Sequence, residues 1–93
     1  MSFTKESAAE RAKEDLAGRL KIDKGDVDVV STTEKEFPDM SLGAPAEDEV
    51  AAQMIASGWI IKLSAEGKAY EYRADKYQIR LCNYNGSNHV VVW

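Results

Sequence analysis

Apolar positions along the chain follow two rhythms, and the change between them divides it. From Thr4 to about Leu20, residues Ala9, Ala12, Leu16 and Leu20 recur at three- and four-residue intervals, the spacing of one buried stripe on a helix. Thr4 has the side chain of an N-cap, and Phe3 before it is placed to staple onto Ala8. Glu6, Glu10 and Glu14, with Arg11, Lys13 and Arg19 among them, fill the wet face. Gly18 near the helix end costs about 1 kcal/mol against Ala, and its missing side chain leaves room for another element to approach. Asp23-Lys24-Gly25-Asp26 is turn chemistry.

Val27 to about Phe37 reads as a strand, with Val27, Val29 and Phe37 on the core side. Asp28, Thr32 and Glu34 face water, and Val30 falls on their side. The stretch FPDMSLGAP, Phe37–Pro45, then breaks all periodicity: it is too rich in turn formers for a helix and too apolar for a linker. Ala46 to Ala56 reads as a short helix, because Glu47, Asp48 and Glu49 suit its positive end and Val50, Met54 and Ile55 have helical spacing; an extended segment is the alternative.

From Gly58 the period becomes two. Trp59, Ile61 and Leu63 line one face of a strand, Tyr70 and Tyr72 one face of the next, and Ile79 and Leu81 one face of a third. Glu66-Gly67 and Asp75-Lys76 are the turns between them. The tyrosine hydroxyls are expected at the wet rim. Asn85-Gly86 is a strong hairpin signal, after which Val90–Trp93 add a last edge strand or pack across the sheet. The sum is an α+β fold: an N-terminal helix packed on a small, mainly antiparallel sheet, in the order helix, strand, loop and short helix, three-strand meander, possible edge strand. Residues 1–93 make one domain, with 1–4 and 84–93 the segments with least to order them.

Charge narrows the partners. The chain has 16 acidic and 12 basic residues, a net charge of −4, whereas polyanion binding needs clustered cations. Nucleic acid is therefore not expected as a partner. No apolar run approaches the ~20 residues of a membrane span, and the start, MSFTKESAAERAKEDL, carries no apolar leader, so a cytoplasmic address is the default. Candidate chemistry is sparse. His89 is the only histidine and Cys82 the only cysteine, so neither a metal pair nor a disulfide is expected, and no glycine-rich phosphate loop calls for a cofactor. Cys82 reads as a small half-buried filler.

The proline-bracketed loop carries a resemblance. Phe37-Pro38-Asp39-Met40-Ser41-Leu42-Gly43-Ala44-Pro45 resembles the motif of a family of small, mostly uncharacterised bacterial and archaeal domains: an aromatic residue, then Pro-Asp-x-Ser-Leu-Gly-x-Pro. Gly58-Trp59-Ile60-Ile61-Lys62-Leu63, Gly67, Tyr70-Glu71-Tyr72-Arg73-Ala74-Asp75 and Arg80-Leu81-Cys82 are similar to its later parts. The likeness spans roughly residues 8 to 82. Phe37 stands where relatives often have Trp, and Ala44 where they often have Cys. The family implies no established activity. Its members often look exported or lipoprotein-attached, in tension with the cytoplasmic default. The helix-on-sheet arrangement is also similar to cystatins and PepSY modules, a likeness of fold alone.

Three readings of the loop follow. In the first, the domain is a non-catalytic binding module, inhibitor-like in style, and Asp39, Met40, Ser41 and Leu42 contact a protein partner, with Met40 and Leu42 as apolar anchors. In the second, the loop is purely structural: Asp39 and Ser41 bond backbone, Leu42 plugs the core edge, Gly43 takes a positive φ, and function sits on the exposed sheet face. In the third, a small enzyme uses Asp39, Ser41 and Asp75; a serine with no histidine near it in sequence is a poor nucleophile, and catalysis is not expected.

Overall fold

A computed structural model describes residues 2–46, 49–50 and 52–92. Helix α1 (Lys5–Leu20) leads through one 3-10 turn, Lys24–Asp26, into five strands: β1 (Asp28–Phe37), β2 (Ala56–Ala65), β3 (Lys68–Ala74), β4 (Ile79–Tyr84) and β5 (Ser87–Val92). The strands form one sheet in the order β1-β2-β3-β4-β5, antiparallel throughout. The α+β architecture read from periodicity is thus the one observed, and the valine-rich tail forms the last edge strand.

The helix starts where its chemistry says. Thr4 caps Ser7 N–H through its hydroxyl at 3.1 Å, and the Ser7 hydroxyl returns to accept from Thr4 N–H at 2.8 Å. This reciprocal pair satisfies two of the donors a helix leaves open. The buried stripe is Ala8, Ala12, Leu16 and Ala17, so Ala9 and Leu20 lie at its margins rather than at its centre. Small residues along the stripe let α1 sit close to the sheet. Ile61, Leu63, Tyr72, Ala74, Ile79 and Leu81 meet it from β2, β3 and β4.

Tyr72 departs from expectation. Its ring is fully buried under the helix, and its hydroxyl, far from any wet rim, donates to Asp15 Oδ2 at 2.7 Å. Arg19 Nε donates to the same oxygen at 2.7 Å. Burial, and then the bond to the Asp15 carboxylate, push the Tyr72 phenol well above its ordinary range. The phenol is there to meet a carboxylate that the helix brings down onto the sheet.

Two of the turns match their residues closely. Glu66-Gly67 and Asn85-Gly86 both have positive φ at each central position, 52° and 75° in the first, 53° and 84° in the second. Such turns carry the right-handed twist of the strands they join.

Three other expectations are corrected. Val29 is not buried: it lies opposite Leu63, on the face that α1 covers, but is left exposed on the edge strand, and Val30 is exposed too. The register of β1 on β2 shifts between Val29 and Ser31, so a bulge at Val30 sets Phe37, opposite Ala56, on the other face of the sheet from Val29. Among the described residues no short helix follows the proline loop: Ala46, 49–50 and 52–55 have no regular structure and Ala56 already belongs to β2. Glu47, Asp48 and Ala51 lie outside the described residues. The acids credited to a helix start include Glu49, which has a different task described below. Finally, no element approaches Gly18, since a Cβ there would meet nothing within 4 Å.

That contrast with Gly58 yields a paired test. A Cβ on Gly58 would lie 2.0 Å from the Ala74 carbonyl oxygen, a backbone atom that cannot step aside. Gly18→Ala is expected to raise stability in urea unfolding by about 0.5–1 kcal/mol. Gly58→Ala is expected to lower it by about 2–3 kcal/mol.

Candidate functional site

The sheet has a second face, and the proline loop covers part of it. Phe37, Leu42 and Ala56 form a small separate core there, joined by the half-buried Met40 and Ile60. Leu42 is fully buried, and it reaches that position with φ of 59°, a left-handed conformation that a branched side chain resists. Gly43 follows at φ 67°. Two consecutive left-handed residues turn the chain sharply and drive Leu42 inward.

Asp39 organises the turn. Its Oδ1 accepts from Ser41 N–H at 2.9 Å, from the Ser41 hydroxyl, and at the long distance of 3.4 Å from Gly43 N–H. The Ser41 hydroxyl, then the backbone donors, hold the Asp39 carboxyl below its usual range. Ser41 itself is 1% exposed. Its hydroxyl is spent on Asp39, and no substrate can reach it without opening the loop.

The outward carbonyls of the loop are then collected by side chains of the sheet. Gln78 Nε2 donates to Met40 O at 2.7 Å, Arg73 NH1 to Leu42 O at 2.9 Å, Arg80 NH1 to Ala44 O at 3.2 Å and Asn88 Nδ2 to Pro45 O at 3.0 Å. Strands alternate their side chains, so Arg73 and Arg80 project away from α1 while their neighbours Tyr72, Ile79 and Leu81 project toward it. Arg73 also lies over the Phe37 ring, 5.8 Å from its centroid.

Arg80 is the centre of this lock. It is buried, its Nε donates to Gln78 Oε1 at 2.8 Å, and its two terminal nitrogens meet the Glu49 carboxylate, NH2 to Oε2 at 2.7 Å and NH1 to Oε1. The fork-on-fork geometry is the strongest form of this pair. It holds the Glu49 carboxyl below the usual glutamate range, and a bond from Ala46 N–H adds to this. Glu49, and Ala46 through it, are thereby tied to β4.

Asp75 is buried in the β3–β4 turn. Its Oδ1 accepts from Tyr77 N–H at 2.8 Å and Gln78 N–H at 2.9 Å, so it sets the angle at which Gln78 reaches the loop. The residues singled out in the sequence are therefore split. Asp39, Ser41 and Leu42 are turned into the loop and its small core, Asp75 shapes the turn opposite, and Met40 is half-buried at the edge of an open cleft. Gln78, Arg73, Arg80, Asn88 and Glu49 were not read as part of the site. For the two arginines the signal was present: each sits at the polar parity of a strand whose other parity is core.

That cleft is apolar. It holds about 430 Å³ between Glu49, Val50 and Ala52 on one side and the β3–β4 turn on the other, with Met40 and Tyr77 among its walls. A polar hollow of about 730 Å³, lined by Glu71, Arg73 and Cys82 among others, lies on the far side of the loop. Burial pushes the Cys82 thiol up to about 11, so the thiolate is scarce at neutral pH and the group is not an activated nucleophile. His89 is engaged by the Tyr84 carbonyl at 3.1 Å through Nε2. Among the described residues no three His, Cys, Asp or Glu side chains gather as a metal site, and no helix is long and apolar enough to cross a membrane.

Two measurements test the lock. Ser41→Ala removes a buried donor and is expected to cost about 1–3 kcal/mol in urea unfolding. Glu49→Gln is expected to cost about 1–2 kcal/mol at neutral pH, and the gap from the parent should close on acidification. The folded carboxyl is depressed, so its stabilisation is present above about pH 4.5 and is lost as the pH falls through the lower folded value. A gap that stays constant down to acid unfolding would contradict the charged pairing.

Comparison with curated proteins and with solved structures finds no match. A family model does match, over residues 9–82, from within α1 to Cys82 in β4. The matched span contains the loop and all of its clamps except Asn88, and the chain belongs to that family, the domain of unknown function DUF8738.

Proposed function

We propose that the domain is a non-catalytic interaction module, and that the locked loop positions its contact surface and contributes Met40 to it. The observation that carries this reading is the exposure of apolar side chains that wall the cleft beside Met40: Val50 is 96% exposed and Tyr77 66%. Scattered single apolar residues are ordinary on a protein surface. Val50 and Tyr77 are not scattered, since they wall one cleft with Met40 as their neighbour.

The lock supports the same reading. Met40 N–H donates to Ala52 O at 3.0 Å and Glu49 is held by Arg80, so the apolar segment is anchored on both sides of Val50. A surface ordered before contact loses less entropy on binding. The ligand that suits it is a protein segment with an apolar or aromatic anchor. In this reading Met40 is the one member of Asp39, Met40, Ser41 and Leu42 that touches the partner, and the other three hold it in place. The engagement of Asp39 Oδ1, the Ser41 hydroxyl and Asp75 Oδ1 in intramolecular bonds weighs against the enzymatic alternative.

Selection of peptides from a random displayed library tests the proposal. Binders are expected to share an apolar anchor and to lose binding to Val50→Ser and to Tyr77→Ser, both exposed positions whose change leaves the core intact. Selected peptides that bind both variants as well as the parent would overturn it.

A further inference from the structure

We propose a second, independent contact: the outer edge of β1 accepts an extended segment of another protein as a sixth strand, with basic side chains at alternate positions facing Glu34 and Glu36. β1 is an edge strand of ten residues, pairing only with β2. Among the described residues no backbone hydrogen bond ties its outer side to any other segment. Nearly all of it is open to solvent, from Asp28 to Glu36. A long unpaired edge is a ready template for strand addition.

The side chains along that edge say what would pair with it. Glu34 lies opposite Trp59 and Glu36 opposite Ser57, so the two carboxylates share the face of the Trp59 ring. Together they line a cleft of about 400 Å³ that Lys76 also reaches. By strand alternation the two carboxylates belong to that face, while Lys35, which also borders the cleft, belongs to the reverse. The Trp59 ring offers a surface over which an ammonium or guanidinium is favoured. Lys35, between the glutamates, sits opposite Gly58 and projects to the other face. The edge is therefore acidic on the Trp59 face and basic on the reverse. An added strand with Lys or Arg on the first face and neutral or acidic residues on the second matches both. A second copy of this chain does not. Antiparallel pairing of β1 with itself about a two-fold axis keeps each residue on its own face, and so sets the glutamates of the two copies side by side. The bulge at Val30 limits the usable edge to the part beyond it, 31–36, where both glutamates lie.

The test is titration of labelled protein with a nine-residue peptide of alternating Thr and Lys, followed by amide and indole shifts. Shifts confined to 31–36 and the Trp59 indole are expected. So is about tenfold weaker binding by the Glu34→Lys/Glu36→Lys double variant, which changes only exposed side chains. The control is a peptide of the same composition with its lysines consecutive, which keeps the charge and loses the alternation; it is expected to bind more weakly. Equal binding of the two peptides, shifts centred elsewhere, or no shifts at millimolar peptide would overturn the proposal. Failure of this test leaves the apolar cleft beside Met40 untouched, because the two surfaces share no residue.

Discussion

A guanidinium buried in the face of a sheet must have its donors met, and much of this domain's second face is arranged around doing so. Arg80 is 1% exposed, and an arginine keeps its charge at any pH the protein meets. Such a charge is tolerated inside a protein only with excellent geometry and further hydrogen bonds. Gln78, the Ala44 carbonyl and the Glu49 carboxylate provide these. Each comes from a different segment: the β3–β4 turn, the proline loop, and the irregular run that leads to β2. The requirement of one side chain thus holds three non-regular pieces of backbone in one place. Asp75 extends the arrangement by fixing Gln78, and Asp39 by fixing the turn whose carbonyls are collected.

The sheet consequently has two unlike cores. Toward α1 it is conventional, with alanines and leucines of one helix stripe against the apolar parity of three strands, and the half-buried Asp15–Tyr72–Arg19 cluster at one side. Toward the loop it has three buried apolar residues and a ring of charged and amide groups. The second core is too small to be held by apolar burial alone, and the hydrogen bonds to the loop carbonyls supply what it lacks.

The sequence was legible where local rules decide. The stripe of α1, the cap at Thr4, the two turns with glycine and the parity of β2, β3 and β4 all follow from spacing and turn chemistry. Asp39, Leu42 and Gly43 do what their types suggested in the structural reading of the loop, whereas the Ser41 hydroxyl bonds the Asp39 carboxylate rather than backbone. What failed to show was non-local. Glu49 looked like a helix N-terminal acid because its neighbours are acids, and only the fold places it against Arg80, 31 residues away. Tyr72 looked like a rim residue because a phenol usually seeks water, and only the docking of α1 brings Asp15 to it. The bulge at Val30 has no composition signal at all, and one extra residue is enough to put Phe37 and Val29 on opposite faces of the sheet.

The order of the strands has a kinetic meaning. In the run from β2 to β5 every strand pairs with its successor, so those contacts close short loops. The contacts that complete the molecule are long: 31, 36, 38 and 43 residues separate the loop carbonyls from the side chains that take them, and 57 separate Asp15 from Tyr72. Contacts of high sequence separation cost more chain entropy before they return any stabilisation. The meander therefore has the lowest entropic threshold for forming first, and the acceptors of Met40, Leu42, Ala44 and Pro45 find their donors already aligned on its outer face.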